Sequence, residues 1–135
     1  MSHDKEWYMR WKPPQKIKHG VPTQWGWVVL YPDNFILGKY TDIGYFTLIV
    51  AKHGVEIEDE VQVASNVSIY SDNSIDGTQG KVALRKGCKI GAHSVIFPGV
   101  TVGENAVVGA FSLVKEDIPA NSTAYGIPAK VIKKF

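Results

Sequence analysis

The sequence predicts an all-β fold, a parallel solenoid of about four three-sided coils. Three observations carry this. From residue 37 an aliphatic residue returns every six positions: Leu37, Ile43 and Ile49, then Ile57, Val63 and Ile69, then Leu84, Ile90, Ile96, Val102, Val108 and Val114. The position after it is often glycine, as at Gly38, Gly44, Gly91, Gly103 and Gly109. The fourth position after it is small or β-branched, as at Thr41, Thr47, Val61, Val67, Cys88, Ser94, Val100, Ala106 and Ser112. A period of six fits neither a helix face nor the alternation of a hairpin. It fits a chain that turns a corner every six residues, with the aliphatic and the small residue both pointing inward. Three hexads close one coil, so twelve hexads make four. Stacked coils then pair as parallel strands about 4.8 Å apart. A β-sandwich would instead place turn signals about every 8–12 residues.

Taken in order, residues 1–36 do not repeat. They hold all four tryptophans (Trp7, Trp11, Trp25, Trp27) and the Pro13-Pro14 pair. They read as an N-terminal extension whose aromatics cover the first coil or a neighbouring subunit. Residues 37–135 form the solenoid domain. Its spacing breaks twice, by two extra residues before Ile57 and by nine before Leu84. The longer insertion predicts one major protruding loop over residues 70–83, at an edge where solenoids place binding. Pro119 and Pro128 lack an amide hydrogen, so the ladder is expected to stop near them.

Composition narrows the function classes. Hydrophobic residues at 44% and charged residues at 21% are ordinary for a soluble globular chain. A net charge of +2 gives no reason to expect nucleic acid. No apolar run approaches the ~18 residues of a membrane span. Residues 1–10 lack the apolar core of a secretory leader, so a cytoplasmic protein without a membrane partner is expected. A single cysteine, Cys88, excludes an internal disulfide and a cysteine-rich zinc site.

The histidines carry the candidate chemistry. His3 and His19 lie in the extension. His53 occupies the two-residue bulge, at the slot where other hexads place a small inward residue, so the regular coil breaks there. The bulge and the 70–83 loop leave the same corner on successive coils. That predicts His53 near Ser71, Asp72, Asn73 and Asp76, the candidate substrate-binding residues. A carboxylate beside an imidazole orients it and favours its charged form. His93 follows Ile90 by three and points outward, in a column that reads Phe46, Asn66, His93 and Phe111. A coil rise of about 4.8 Å puts Asn66 and His93 within reach. His53, His93 and Asn66 are the candidate catalytic residues. A zinc site of three converging histidines finds only two in the repeat, so no metal is expected.

Two closing segments, GAFSLVKEDIP (residues 109–119) and GIPAKVIK (residues 126–133), lie within a stretch from Ile90 to Lys134. That stretch resembles the end of the hexapeptide-repeat acyltransferases, which include the galactoside and maltose acetyltransferases. The likeness spans residues 37–135. It implies a left-handed parallel β-helix, acetyl-CoA as co-substrate, and a homotrimer with each active site in a groove between subunits. On matching positions, Ala92 and Ala110 would let the pantetheine arm approach the backbone, with His93 beside them in the groove. Lys115, Lys130 and Lys133 would meet the CoA phosphates, for which lysine is a suitable point charge. In the galactoside and maltose branch the base is a histidine on the loop after a second-coil strand; Ser74 stands at that position here.

The patterns YTDIGYFT (residues 40–47), GVEIED (residues 54–59) and SIYS (residues 68–71) are most similar to short enzymes that acetylate the amino group of nucleotide-linked dideoxysugars. The resemblance therefore implies acetyl transfer to an amino or hydroxyl group of a sugar. A nucleotide-linked amino deoxysugar of surface-polysaccharide biosynthesis is the expected acceptor. An amine acceptor also depends less on a general base than a hydroxyl does. The alternatives are an O-acetyltransferase of another small acceptor and a non-catalytic hexapeptide-repeat scaffold.

Overall fold

The hexads become three flat faces of a prism in a computed structural model, which describes residues 3–135. Face I stacks Val28–Leu30, Leu48–Val50, Ser68–Tyr70, Val95–Ile96 and Leu113–Val114 in that order. Face II stacks Phe35–Leu37, Val55–Ile57, Val82–Leu84 and Thr101–Val102. Face III stacks Asp42–Ile43, Gln62–Val63, Lys89–Ile90, Val107–Val108 and Ser122–Gly126, and Ala129–Lys134 closes its edge. The parallel register aligns the repeat residues themselves. Ile49, Ile69, Ile96 and Val114 form one column. Leu37, Ile57, Leu84 and Val102 form the second. Ile43, Val63, Ile90 and Val108 form the third. All but Leu37 are buried, as are all nine small residues named at the fourth position.

The small inward slot accepts hydroxyls because each finds a carbonyl. Thr47 Oγ1 donates to the Ala64 carbonyl at 2.8 Å and accepts from the Val67 amide at 3.2 Å. Ser94 and Ser112 both donate to the Gly109 carbonyl, at 3.0 and 2.7 Å. Satisfied in this way, a buried hydroxyl carries little penalty. After three of the face III strands, at Gly44, Gly91 and Gly109, the coils approach so closely that a side chain is excluded. A Cβ on Gly91 would stand 2.5 Å from the Ala110 amide nitrogen.

The stack is longer at both ends than the six-residue series. Val28–Leu30, inside the extension, is already a parallel rung against Leu48–Val50. Other described residues of the extension touch the first coil. The extension's short helix Lys5–Arg10 is capped by Asp4, whose carboxylate accepts from the Trp7 amide at 2.8 Å. Trp11 Nε1 donates to the Thr41 carbonyl at 2.7 Å, and Trp27 is 2% exposed within the core. At the other end the ladder runs past Pro119, contrary to expectation, and its last parallel rung ends just before Pro128, as expected. Ile118 bridges to Val102, and Ser122–Gly126 pairs parallel with Val107–Val108 before the chain returns antiparallel. Pro119 falls in a corner and Pro128 in the final turn, where no ladder amide is required. No helix among the described residues is long and apolar enough to cross a membrane.

Two outcomes follow from this packing. Val108 is 1% exposed, so Val108→Asp buries an unpaired carboxylate between coils. The variant is expected to show no cooperative thermal transition by circular dichroism. Burial pushes the Cys88 thiol up to about 12, with Glu58 adding to the effect. The thiol is therefore expected to resist iodoacetamide at pH 8 in the native protein and to react once denatured. Because the folded value is the raised one, this group favours the folded state below pH 9 and ceases to do so as pH rises toward 12.

Candidate active site

The bulge predicted around His53 is a tight turn at the corner between faces I and II. Ala51, fully buried, ends the face I rung, and the Gly54 amide donates back to the Ala51 carbonyl at 3.0 Å. Gly54 has φ +100°, a conformation that a Cβ would strain, which is why glycine follows His53. One coil later the chain reaches the same corner as Ser71-Asp72. Asp72 Oδ1 lies 3.1 Å from His53 Nε2, with the two side chains 19% and 31% exposed. The sequence thus brings His53 and Asp72 together as predicted from their shared corner.

The inserted loop is a small hairpin rather than a slack segment. Asp72–Asn73 pairs antiparallel with Thr78–Gln79. The Gly77 amide donates to the Asn73 carbonyl at 2.8 Å, and Asn73 Oδ1 accepts from the Ile75 amide at 3.2 Å. Asp76 Oδ1 accepts from the Thr78 amide and hydroxyl, at 3.0 and 2.7 Å. These bonds, the amide first, hold the Asp76 carboxyl below its usual range, and Lys115 adds to the effect. Lys115 in turn stands 5.9 Å from the centre of the Phe97 ring. Ser74 and Ile75 are exposed at the tip, Ile75 at 93%.

The second group of residues occupies the opposite corner, between faces III and I. Phe46, Asn66, His93 and Phe111 all sit there with φ between 58° and 64°, one on each successive coil. The rings of His93 and Phe111 stack at 4.9 Å, nearly parallel at 2°. Ala92 and Ala110 lie beside this column, and the Ala92 carbonyl accepts the Phe111 amide at 2.9 Å. With Gly91 and Gly109 they make a strip bearing nothing larger than a methyl group.

Within one chain the candidate residues fall at separate places. His53 lies beyond the end of a face I strand and Asn66 and His93 lie before the start of one, so one chain does not bring the three catalytic candidates together. Lys115 follows Leu113–Val114 and shares the His53 edge, apart from Ala92 and Ala110. Lys130 and Lys133 lie on the return strand of face III, opposite Tyr125 and Thr123. Ser71 is fully buried, so it touches no substrate; of the four proposed binding residues Asp72, Asn73 and Asp76 remain available. Simple alternation carried that signal, because Ile69 inward implies Ser71 inward. Phe97 under Lys115 was legible in the repeat, since the pairing of Ile96 with Val114 sets the two residues side by side on adjacent coils. Among the described residues no three His, Cys, Asp or Glu side chains gather to hold a metal.

Known proteins are similar to this chain in sequence and in fold. The family described as bacterial transferase hexapeptide (six repeats) matches residues 81–116. Galactoside O-acetyltransferase of Escherichia coli strain K12 is 36% identical over 118 residues, covering 78% of this chain and 56% of that enzyme. A galactoside acetyltransferase solved with coenzyme A aligns at TM-score 0.73 and 31% identity, covering 80% of this chain and 58% of that one. A mutant of AntD, an N-acyltransferase from Bacillus cereus, was solved with dTDP-4-amino-4,6-dideoxyglucose and coenzyme A. It aligns at TM-score 0.58 and 32% identity, covering 81% of this chain and 70% of that one. The chain spans about half the length of the relatives it matches by sequence. On its repeat, its three-faced stack and these similarities, the chain belongs to the hexapeptide-repeat acyltransferases.

Proposed function

We propose that this chain transfers the acetyl group of acetyl-CoA to the amino group of a nucleotide-linked amino deoxysugar, in the cytoplasm and in the service of surface-polysaccharide synthesis. The observation that carries the reading is the His53–Asp72 pair at 3.1 Å, set at the corner where the repeat is interrupted on two successive coils. The acceptor nitrogen attacks the thioester carbonyl, His53 takes its proton, and the carbon–sulfur bond breaks. The departing CoA thiolate then receives that proton. The side-chain-poor strip at Ala92 and Ala110 supports passage of the pantetheine arm along the other corner. His93 and Phe111 form its aromatic wall, and Lys115, Lys130 and Lys133 are the cations for the phosphates.

A homotrimer would unite the two corners. The outward positions of face I are mostly apolar: Val28, Leu48, Ser68, Val95 and Leu113 in one file, Leu30, Val50, Tyr70, Phe97 and then Lys115 in the other. Three copies packed about a three-fold axis cover these files and set the His53 corner of one copy against the Ala92 and Ala110 corner of the next. A second reading, O-acetylation of a sugar hydroxyl, is favoured by the same imidazole–carboxylate pair. A hydroxyl needs the general base that His53 would supply.

The test is release of CoA thiol on mixing the protein, acetyl-CoA and one acceptor at a time. A dTDP-linked 4-amino sugar is expected to turn over, and a simple galactoside more slowly; the reverse order selects the second reading. Absence of turnover with no acetyl-CoA-dependent rise in melting temperature identifies a scaffold. His53→Ala is expected to lower kcat roughly 100-fold or more with the KM for acetyl-CoA little changed. Ala110→Trp is expected to abolish acetyl-CoA binding in calorimetry while leaving the melting temperature of the free protein intact.

A further inference from the structure

Ser71 is buried, yet its slot does not need a hydroxyl. Ala51 fills the corresponding position one coil earlier, since Ile49 and Val50 pair with Ile69 and Tyr70. The stack itself is complete with a methyl group there. What differs at this level is the bulge. Ser71 Oγ lies 2.6 Å from the Val50 carbonyl and 3.0 Å from the His53 amide nitrogen. A carbonyl only accepts, so the single hydroxyl proton goes to Val50. The serine oxygen is thereby left as acceptor for the His53 N–H, a donor the regular ladder leaves unpaired at this turn.

The next residue acts on the other end of the same side chain. Asp72 Oδ1 faces His53 Nε2 at 3.1 Å. An ionised carboxylate can only accept, so Nε2 carries the hydrogen. A neutral imidazole has one N–H, which leaves the lone pair on Nδ1. Backbone and ring of His53 are thus each fixed by one of two consecutive residues that directly follow the face I rung Ser68–Tyr70.

We propose that Ser71 is a positioning residue which, with Asp72, seats His53 as the Nε2–H tautomer, so that Nδ1 is the atom that accepts the proton. The consequence for catalysis rests on the reading of His53 as the base. The acceptor N–H or O–H proton passes to Nδ1 as the new bond to the acetyl carbon forms. The imidazolium so formed keeps Asp72 against Nε2, and Nδ1–H returns the proton to the CoA thiolate. Losing the Ser71 hydroxyl frees the His53 amide and lets the turn shift, while the inward slot still holds a methyl as at Ala51.

Ring-nitrogen NMR of protein labelled with ¹⁵N-histidine tests the seat without any substrate. His53 in the wild-type protein is expected to show, in its uncharged form, a protonated Nε2 and an unprotonated Nδ1. Ser71→Ala, with a melting curve confirming that it folds, and Asp72→Ala are each expected to give a mixture of the two tautomers. Ser71→Ala is also expected to lose roughly tenfold or more in kcat with an unchanged KM for acetyl-CoA. A wild-type His53 protonated on Nδ1, or tautomer signals in both variants identical to wild type, overturns the proposal. Signals that change as expected while His53→Ala keeps full turnover support the seat and overturn the reading of His53 as the base.

Discussion

Each interior side chain of this molecule is covered mainly by its counterparts one coil above and one coil below. That constraint, a repeat distance of about 4.8 Å imposed by backbone pairing, governs the rest of the structure. It demands that the chain return to the same column after three steps. It excludes side chains where coils touch, as at Gly91 against Ala110. It also makes a polar atom tolerable inside only where a carbonyl of the stack lies within reach, as Gly109 does for Ser94 and Ser112. Extra residues cannot enter a column without breaking it, so both insertions emerge at one corner. His53 and the hairpin of Asp72–Asn73 with Thr78–Gln79 are neighbours for that reason.

The three faces then diverge in chemistry. Face II carries charge: Lys81 lies 3.2 Å from Glu56, and Arg85 lies 2.9 Å from Glu58. Partly exposed pairs of this kind are worth about 0–1 kcal/mol each, so they keep that face wet rather than hold the fold together. Face I presents mainly aliphatic and aromatic side chains outward, with Ser68 among them and Lys115 at the end of one file, and its two edges bear the two halves of the proposed site. Within one chain the imidazole–carboxylate pair and the side-chain-poor strip do not meet. An apolar face with one half-site on each edge is the arrangement that a cyclic assembly completes, which is why the proposed trimer and the proposed chemistry stand together.

Local sequence misled where the repeat spacing was altered without loss of the fold. Val29 precedes Leu37 by eight residues because a 3-10 turn at Pro32–Asn34 intervenes, so its rung was hidden among the residues of the extension. Ile118 follows Val114 by only four residues, and Ala124 returns to the six-residue step, so these last inward residues fall outside the series that ends at Val114. Ser71 was legible in principle, because strand alternation turns it inward. Its polar character drew attention away from its parity.

The period, the identity of the three interior columns and the corner at which His53 and the loop emerge are all written in the order of residues. These depend on local alternation and on a fixed chain length per face. Only the tertiary structure decided that Asp72 meets the imidazole at Nε2, that the hairpin bends toward Lys115, and that Lys115 is separated from Ala92 and Ala110 by the width of face I. Those relations depend on how successive coils are laid over one another, and spacing along the chain does not encode the direction in which a corner residue points.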